Sequence, residues 1–290
     1  MKLTLNDLRI RSFVLSLLVI ILISSSVFSQ SSVTDVDIPY KADNSWSRFS
    51  VSMGGFLLGN NSNISIGSET LGLGVNINIE EALGLETSTI AFRANARYRI
   101  GKAMKHSVSV GYFSINRNAY KVLEKELQIG NLTFPIGTNI SSNFDLTILR
   151  AKYDYSFLQK EHVSIGASIG FYIMPISFSI KAANSKEQAT SFIAPMPVIG
   201  LRTEFLLTEK FFLHQSTELL LLSIDDFKGR ILDLDIALEH RTFKHFSFGL
   251  GFNSNRLVIK AKGKDYPNID FYGSVEMEYM GVYVFVKYRI

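Results

Sequence analysis

The sequence has 290 residues, of which 47% are hydrophobic, 12% are aromatic and 19% are charged, with a formal net charge of +4. This much apolar surface excludes a disordered chain and predicts one or two folded domains. The absence of cysteine excludes a disulfide framework, thiolate metal sites and a cysteine nucleophile. Because the charge excess is small and no long run of Lys or Arg occurs, the composition argues against a nucleic-acid partner.

The N-terminal segment has the three parts of a secretory signal peptide. Met1–Arg11 is basic, Ser12–Ile23 is mostly apolar, and Ser24–Ser29 consists of small and mostly polar residues. The apolar part is shorter than the about 18 residues that a membrane anchor needs, so we expect cleavage before Gln30. The predicted divisions are a signal peptide at 1–29, a periplasmic segment at 30–45 and a folded barrel domain at 46–290.

The rest of the chain alternates between apolar and polar residues. Its apolar runs, such as Val282–Val286, are far shorter than a membrane-spanning helix of about 20 residues. Period-two alternation is clearest at 90–100, 163–173, 246–253 and 282–289. In an exported, hydrophobic chain without spanning helices, only a closed β-barrel can satisfy every backbone group inside lipid. The pattern therefore predicts a barrel with aliphatic rows toward lipid and polar rows toward its interior.

We predict an all-β fold, a transmembrane antiparallel up-and-down β-barrel of about ten strands. Short polar turns such as Leu158–His162 belong on the periplasmic side, and longer loops such as Tyr120–Ser142 belong outside. The segment Gly72–Leu85 alternates weakly before a helical turn, so an alternative of about twelve strands stays open. The predicted strands are Arg48–Leu58, Thr89–Ile100, His106–Asn116, Asp145–Phe157, Val163–Ser177, Phe192–Leu206, Phe212–Ile224, Arg230–His240, Phe246–Leu257 and Ser274–Ile290.

Charged residues in the inward rows segregate by sign along the chain. They face inward because Arg or Lys toward lipid at mid-bilayer costs about 2–4 kcal/mol. The two signs either meet as a salt-bridged core or stand apart across water and act on a permeating solute. Since about eight strands already fill their interior with side chains, the strand count favours a mostly plugged barrel with at most a narrow polar path. The predicted lumen-lining residues are Arg93, Arg97, Arg99, Arg150, Lys152, Arg202, Glu204, Glu218, Asp233, Asp235 and Glu239.

Aromatic residues near the tight turns predict a girdle at the periplasmic interface of the membrane, because aromatic rings favour the boundary between hydrocarbon and water. These residues are Tyr98, Tyr153, Tyr155, Phe157, Tyr283 and Tyr288.

The histidines also lie near the tight turns, and no His-x-His or His-x-x-x-His spacing is present. We therefore predict no metal and no cofactor. His214, Ser216 and Glu218 share one strand face, which raises the alternative of a hydrolytic barrel enzyme. Neighbours at this spacing lie about 6–7 Å apart on the inward face, which argues against a catalytic triad.

The segment 120–142 contains an apolar pattern of its own. Leu127, Ile129, Leu132, Phe134 and Ile136 alternate around Gly130-Asn131, which predicts a hairpin beyond the membrane. Packing of its apolar face onto the barrel mouth is the leading interpretation, and binding of an external ligand or partner is the alternative.

Three segments combine with the signal peptide into a recognisable pattern. They are the turn Tyr98–Gly101, the hairpin tip Leu127–Thr138 and the closing segment Phe271–Ile290. From about Trp46 to the C-terminus, the chain thereby resembles a family of uncharacterised porin-superfamily outer-membrane β-barrels of Gram-negative bacteria. The resemblance implies a barrel in the outer membrane, and it brings neither a catalytic motif nor an established substrate.

We expect an outer-membrane barrel protein without enzymatic activity, either a narrow porin-like channel for small polar solutes or a structural surface protein. The alternatives are a barrel enzyme that hydrolyses lipid or peptide, and a binding or adhesion protein that acts through the hairpin 120–142. The expected partners are outer-membrane lipid and lipopolysaccharide, the barrel-assembly machinery during insertion and, for a channel, a small polar solute.

Overall fold

The structure, a computed structural model, describes residues 46–67, 74–129, 132–182, 187–263 and 271–290. The predicted signal peptide and periplasmic segment lie outside the described residues, as does the predicted Gly130-Asn131 turn. No helix in the described ranges is long and apolar enough to cross a membrane.

Strands make up most of the described chain. In chain order the elements are β1 (Phe49–Ile66), β2 (Ile77–Asn78), α1 (Ile79–Leu83), β3 (Ser88–Ile100), β4 (His106–Val122), β5 (Leu127–Ile129), β6 (Leu132–Phe134), β7 (Asn139–Gln159), β8 (Val163–Ala182), β9 (Glu187–Leu206), β10 (Phe211–Ile224), β11 (Phe227–His240), β12 (Phe246–Gly263) and β13 (Phe271–Arg289). The ten long strands form one sheet, and the short strands β2, β5 and β6 lie in connections between them.

The long strands close into a ring. Each pairs antiparallel with the long strand before and after it, and β13 pairs with β1 from Ser50↔Arg289 to Ile66↔Gly273. The predicted up-and-down barrel of ten strands is thereby confirmed. The alternative with an additional hairpin in the ring is wrong, because β1 pairs with β13 on one side and with β3 on the other. Among the described residues, β2 pairs with the end of β1 and is followed at once by α1.

The ring has two different ends. The turn end holds Phe49, Ile290 and the tight turns between β3 and β4, β7 and β8, β9 and β10, and β11 and β12, while the loop end holds the other connections. At the turn end the predicted strand bounds agree closely with the structure. At the loop end the strands are longer than predicted, since β7 begins at Asn139 and β12 runs to Gly263.

Local chemistry explains why the short helix α1 forms beside β2. Asn78 caps its first turn, because the side chain accepts the backbone N–H of Glu81 at 2.8 Å. Glu80 and Glu81 place negative charge at the N-terminal end of the helix. Gly84 ends it with a φ of 75°, and its N–H donates to the carbonyl of Glu80 at 3.1 Å.

The outer face of the ring carries a belt of exposed apolar side chains. It is present on strands all around the ring, and the exposed fractions are large. Examples are Val110 at 60%, Ile169 at 60%, Ile199 at 64%, Leu250 at 58% and Val284 at 61%. This arrangement matches the aliphatic rows predicted to face lipid.

The interior has two zones that differ in polarity. On β7 the inward row changes from Lys152 and Arg150 near the turn end to Ile148 and Leu146 toward the loop end. The loop-end zone is a packed apolar core, with Ile148 only 1% exposed. The prediction of polar inward rows along the whole of each strand is therefore wrong for this second zone. In this zone the strands extend beyond the outer apolar belt. Their inward side chains are apolar, and their outward side chains are polar.

Candidate functional site

The predicted lumen-lining residues meet inside the ring in its turn-end zone. Arg93 on β3 contacts Asp235 on β11 at 2.6 Å, although these strands are not neighbours in the sheet. Such a contact is possible only across the interior. All of the remaining predicted residues form buried ion pairs. Their partners lie on other strands or, for Arg202 and Glu204, on the next inward position of the same strand.

Glu204 on β9 is the centre of the largest charged cluster. Arg97 and Arg99 on β3 each donate to its carboxylate at 2.8 Å, and Arg202 donates to it from the same strand. Nδ1 of His214 lies 3.4 Å from the same carboxylate. Glu204 is only 1% exposed, so its carboxylate has lost its hydrating water, and the surrounding cations compensate for that loss.

The β11 carboxylates form a second cluster. Asp235 accepts the hydroxyl of Tyr283 at 2.8 Å in addition to its pair with Arg93. Asp233 lies 3.6 Å from Arg150 and accepts the side-chain N–H of Asn253 at 2.7 Å. Both carboxylates therefore have cationic and neutral donors, as a buried charge requires.

Two further carboxylates complete the network. Glu218 on β10 accepts Lys152 and the hydroxyl of Tyr172. Glu239 on β11 accepts Lys287 at 2.7 Å and lies 2.8 Å from Nε2 of His214. The predicted opposite walls therefore meet as ion pairs instead of facing each other across an open channel.

Sequence reasoning missed several members of this network. Asp154, 3.4 Å from Arg202, occupies the same inward row as predicted residues, so strict period-two counting would have found it. Lys287 lies on the inward row that the alternation at 282–289 predicts, and its pairing with Glu239 was not predicted. Tyr283 was expected in the outer girdle, and this is wrong, because it is 6% exposed and bonded to Asp235. Tyr283 and Lys287 are four positions apart on β13, so both side chains face inward. The prediction placed Tyr283 outside because of its aromatic residue type.

A small polar cavity of about 150 Å³ lies between the charged clusters. Its lining includes Arg97, Ser109 and Arg150. Each of these has a buried polar atom without a hydrogen-bond partner among the described residues, namely Nε of Arg97, Oγ of Ser109 and Nε of Arg150. A polar cavity of this size accommodates a few water molecules, which can satisfy such groups.

Aromatic rings close this cavity toward the loop end. Phe113 on β4 and Tyr279 on β13 stack with ring centroids 5.1 Å apart, and Phe56 on β1 lies 5.8 Å from Phe113. The three side chains are each 1% exposed. They form the first layer of the apolar core, so the polar zone does not continue through the barrel.

Trp46 closes the turn end. Its indole N–H donates to the carbonyl of Lys160, in the turn between β7 and β8, at 3.1 Å. Its ring lies edge-on to Phe212 on β10 at 5.9 Å and 5.6 Å from the guanidinium of Arg99. Trp46 precedes β1, so these contacts carry the chain across the mouth of the ring.

The loop end is covered by α1 and the β5–β6 hairpin. Leu83 and Phe134 are fully buried and Ile129 is 1% exposed, so the β5–β6 hairpin packs its apolar face on the barrel. Ile136, predicted on the same face, follows β6 and is 68% exposed, so that part of the prediction is wrong. Glu80 accepts Arg117 at 2.5 Å and the N–H of Ser62. Burial lowers the pKa of Arg117, which lies beyond the apolar belt, while its contacts with Glu80 oppose that shift.

Comparisons with solved structures return outer-membrane and surface proteins. The outer membrane protease OmpT of Escherichia coli has a TM-score of 0.49 and 9% identity, covering 87% of this chain and 99% of that one. Ail, the attachment invasion locus protein of Yersinia pestis, has a TM-score of 0.36 and 11% identity, with 84% and 99% covered. Neisserial surface protein A has a TM-score of 0.32 and 12% identity, with 84% and 98% covered. No family model and no curated protein matches the chain. These identities are too low for the neighbours' functions to be carried over.

The residues considered for hydrolysis contact different partners. The two ring nitrogens of His214 contact Glu204 and Glu239, whereas Glu218 is occupied by Lys152 and Tyr172. The remaining histidines lie at the turn end, and His106 bonds to the Tyr153 hydroxyl at 2.5 Å. In the part of the chain that the structure describes, no group of three or more His, Cys, Asp or Glu side chains could hold a metal ion.

Proposed function

We propose that this chain is an outer-membrane β-barrel with a closed interior, and that it acts through the surface it presents instead of conducting solutes. The observation that carries the proposal is a reversed polarity at one height of the barrel. Leu149 is 41% exposed on the outer face, while the side chain of its neighbour Arg150 is only 11% exposed inside. A water-soluble barrel would place these residue types the other way round.

The extent of the belt supports insertion in a bilayer. Outward apolar residues span Ile90–Ile100 on β3, Val163–Ile173 on β8 and Met280–Tyr288 on β13. These lengths match the roughly 9–11 residues with which a tilted strand crosses the hydrocarbon core. Since barrels of this kind have short periplasmic turns, the turn end belongs in the periplasm and the loop end outside the cell.

The filled interior supports a barrel without a channel. Trp46 covers the periplasmic mouth, ion pairs occupy the turn-end zone, and the Phe113 layer begins an apolar core. An ion would have to enter that core without water, which costs many kcal/mol. The narrow-channel expectation is therefore not part of the proposal, and the surface-protein expectation is retained.

The proposal assigns no hydrolytic activity to the chain. Outer-membrane lipid, lipopolysaccharide and the barrel-assembly machinery are its proposed partners, because the belt must be inserted in and surrounded by lipid. The loop-end surface, including the polar outer sides of β7, β8 and β12, is the part of the protein that faces the outside of the cell.

Two measurements on the purified mature protein test the proposal. The refolded protein should insert in phosphatidylcholine vesicles, resist carbonate extraction, and give no steady conductance in a planar bilayer. A protein that stays soluble without detergent would overturn the membrane assignment. Steady conductance that changes with charge reversal at Asp233 and Asp235 would instead restore the channel.

A further inference from the structure

The outward rows at the loop end carry charge unevenly around the ring. On the ring strands other than β11, β12 and β13, the charged outward residues in the described ranges are Asp145 and the exposed pair Lys181–Glu187, whose charged atoms lie 3.8 Å apart. On β11 and β12, by contrast, cations line both sides of one strand seam. This basic seam consists of Lys228, Arg230, Arg256, Lys260 and Lys262.

The basic seam begins where the apolar belt ends. Arg256 on β12 pairs in register with Leu232 on β11, which belongs to the belt. The next outward position on β11 is Arg230, and the one after it is Lys228. These cations therefore lie at the height of the lipid head groups of the leaflet at the loop end.

The acidic partners of the seam contact the cations of β12. Glu276 and Glu278 come from β13, on the far side of β12, and Asp226 comes from the turn that precedes β11. The ion pairs are Arg256–Glu278 at 3.1 Å, Lys260–Glu276 at 2.8 Å and Lys262–Asp226 at 3.5 Å. Lys228 and Arg230 have no ion pair with any described residue, and their register neighbours on β10 are Ser223 and Leu221.

Two lysines of the seam face each other directly. Lys228 on β11 and Lys260 on β12 are register partners on the outer face. Like charges placed opposite each other on neighbouring strands destabilise the pair. An anion seated between the strands would relieve that repulsion, and the charge of the seam is complementary to a phosphate group.

We propose that the basic seam binds the phosphorylated sugar head group of an outer-leaflet glycolipid of the lipopolysaccharide class. The phosphates would contact Lys228, Arg230 and Lys260, while the acyl chains lie on the belt below, along Leu232 and Phe252. This inference rests on the proposed function, because it requires the loop end to face the outer leaflet. It adds the site and the ligand chemistry.

The test compares lipid binding by matched variants of the refolded full mature chain. Fluorescent diphosphoryl lipid A is titrated in detergent micelles against the wild type, Lys228→Gln/Arg230→Gln and the control Lys181→Gln. The double variant should bind on the order of thirtyfold more weakly, since each cation near anionic lipid contributes about 1 kcal/mol, or roughly fivefold. Lys181→Gln should bind like the wild type, because Lys181 lies outside the seam.

Further arms identify the ligand. Lipid A without phosphates should bind weakly to all three proteins, and neither phosphatidylglycerol nor inorganic phosphate should compete at equal concentration. Equal affinity of the double variant, or equal competition by phosphatidylglycerol, would overturn the inference. Vesicle insertion of the wild type is measured separately in phosphatidylcholine. Insertion without seam-dependent lipid A binding would reject this inference alone, whereas failure to insert would reject the proposed function.

Discussion

Arg93 on β3 and Asp235 on β11 form an ion pair of 2.6 Å across the interior of the ring. The pair joins strands on different sides of the barrel, so it fixes their separation as well as neutralising two buried charges. Tyr283 adds a hydrogen bond to the same carboxylate at 2.8 Å, and the Arg93 guanidinium lies 4.4 Å from its ring. The ion pairs of the interior therefore hold the strands together in the zone where the barrel has no apolar core.

Breaking this pair from one side should destabilise the barrel. Arg93→Met leaves Asp235 buried without its cation, and we expect a loss of about 3 kcal/mol in the free energy of unfolding. Arg93→Met/Asp235→Asn should recover most of that loss, because Asn still accepts the Tyr283 hydroxyl and carries no charge. Urea unfolding in vesicles measures both changes. Equal stability of the single variant and the wild type would contradict a structural role for the pair.

Glu204 should be the most sensitive carboxylate of the network. Glu204→Gln removes the carboxylate that Arg97, Arg99 and Arg202 share and leaves Asp154, 3.4 Å from Arg202, as the nearby anion, which should cost about 3–5 kcal/mol. Glu239→Gln is the matched control, since among the described residues Glu239 forms one lysine ion pair, with Lys287, and one contact with His214. The same unfolding measurement should rank Glu204→Gln clearly below Glu239→Gln. The reverse order would show that the three guanidiniums do not depend on Glu204.

Periodicity predicted much of this arrangement because each inward position follows from the parity of its strand. The side chains of Arg93 and Asp235 could be assigned to the interior in this way. Which cation meets which carboxylate could not be predicted, because it depends on the stagger between strands that are far apart in sequence. Arg97 reaches Glu204 on β9, for example, whereas Arg93, only four positions earlier, reaches Asp235 on β11.

Two features of the interior were not predicted from the alternation of side chains along the strands. The change from Arg150 to Ile148 on β7 is visible in the sequence, but a polar interior was expected along the whole strand, so the apolar zone was missed. Trp46 precedes the first strand, where no periodic pattern constrains the chain. Its position across the mouth depends on contacts with Lys160 and Phe212, which tertiary structure alone brings near.

Removing the Trp46 side chain should open the turn-end mouth. The chain has no cysteine, so Ser52→Cys places a single thiol in the lining of the polar cavity. In Trp46→Ala its reaction with a small thiol reagent should accelerate roughly tenfold, because the ring contacts with Phe212 and Arg99 together contribute about 1–2 kcal/mol. Ser223→Cys, exposed at the loop end, is the control and should react at the same rate with or without Trp46. An unchanged rate at Ser52→Cys would mean that Trp46 does not close the mouth.

Closure of the ring should depend on the absence of a side chain at Gly54. A Cβ built on Gly54 would overlap the carbonyl oxygen of Val284 on β13, across the β13–β1 seam that closes the barrel. The neighbouring Gly55 has no atom within 4 Å of such a Cβ. Gly54→Ala should therefore cost about 1–3 kcal/mol, as overpacking does elsewhere, and Gly55→Ala should be close to neutral. The shift of the folded band in unheated gels and the urea midpoint measure the difference. Equal behaviour of the two variants would show that β1 and β13 can move apart at no cost, and that the seam is looser than this geometry requires.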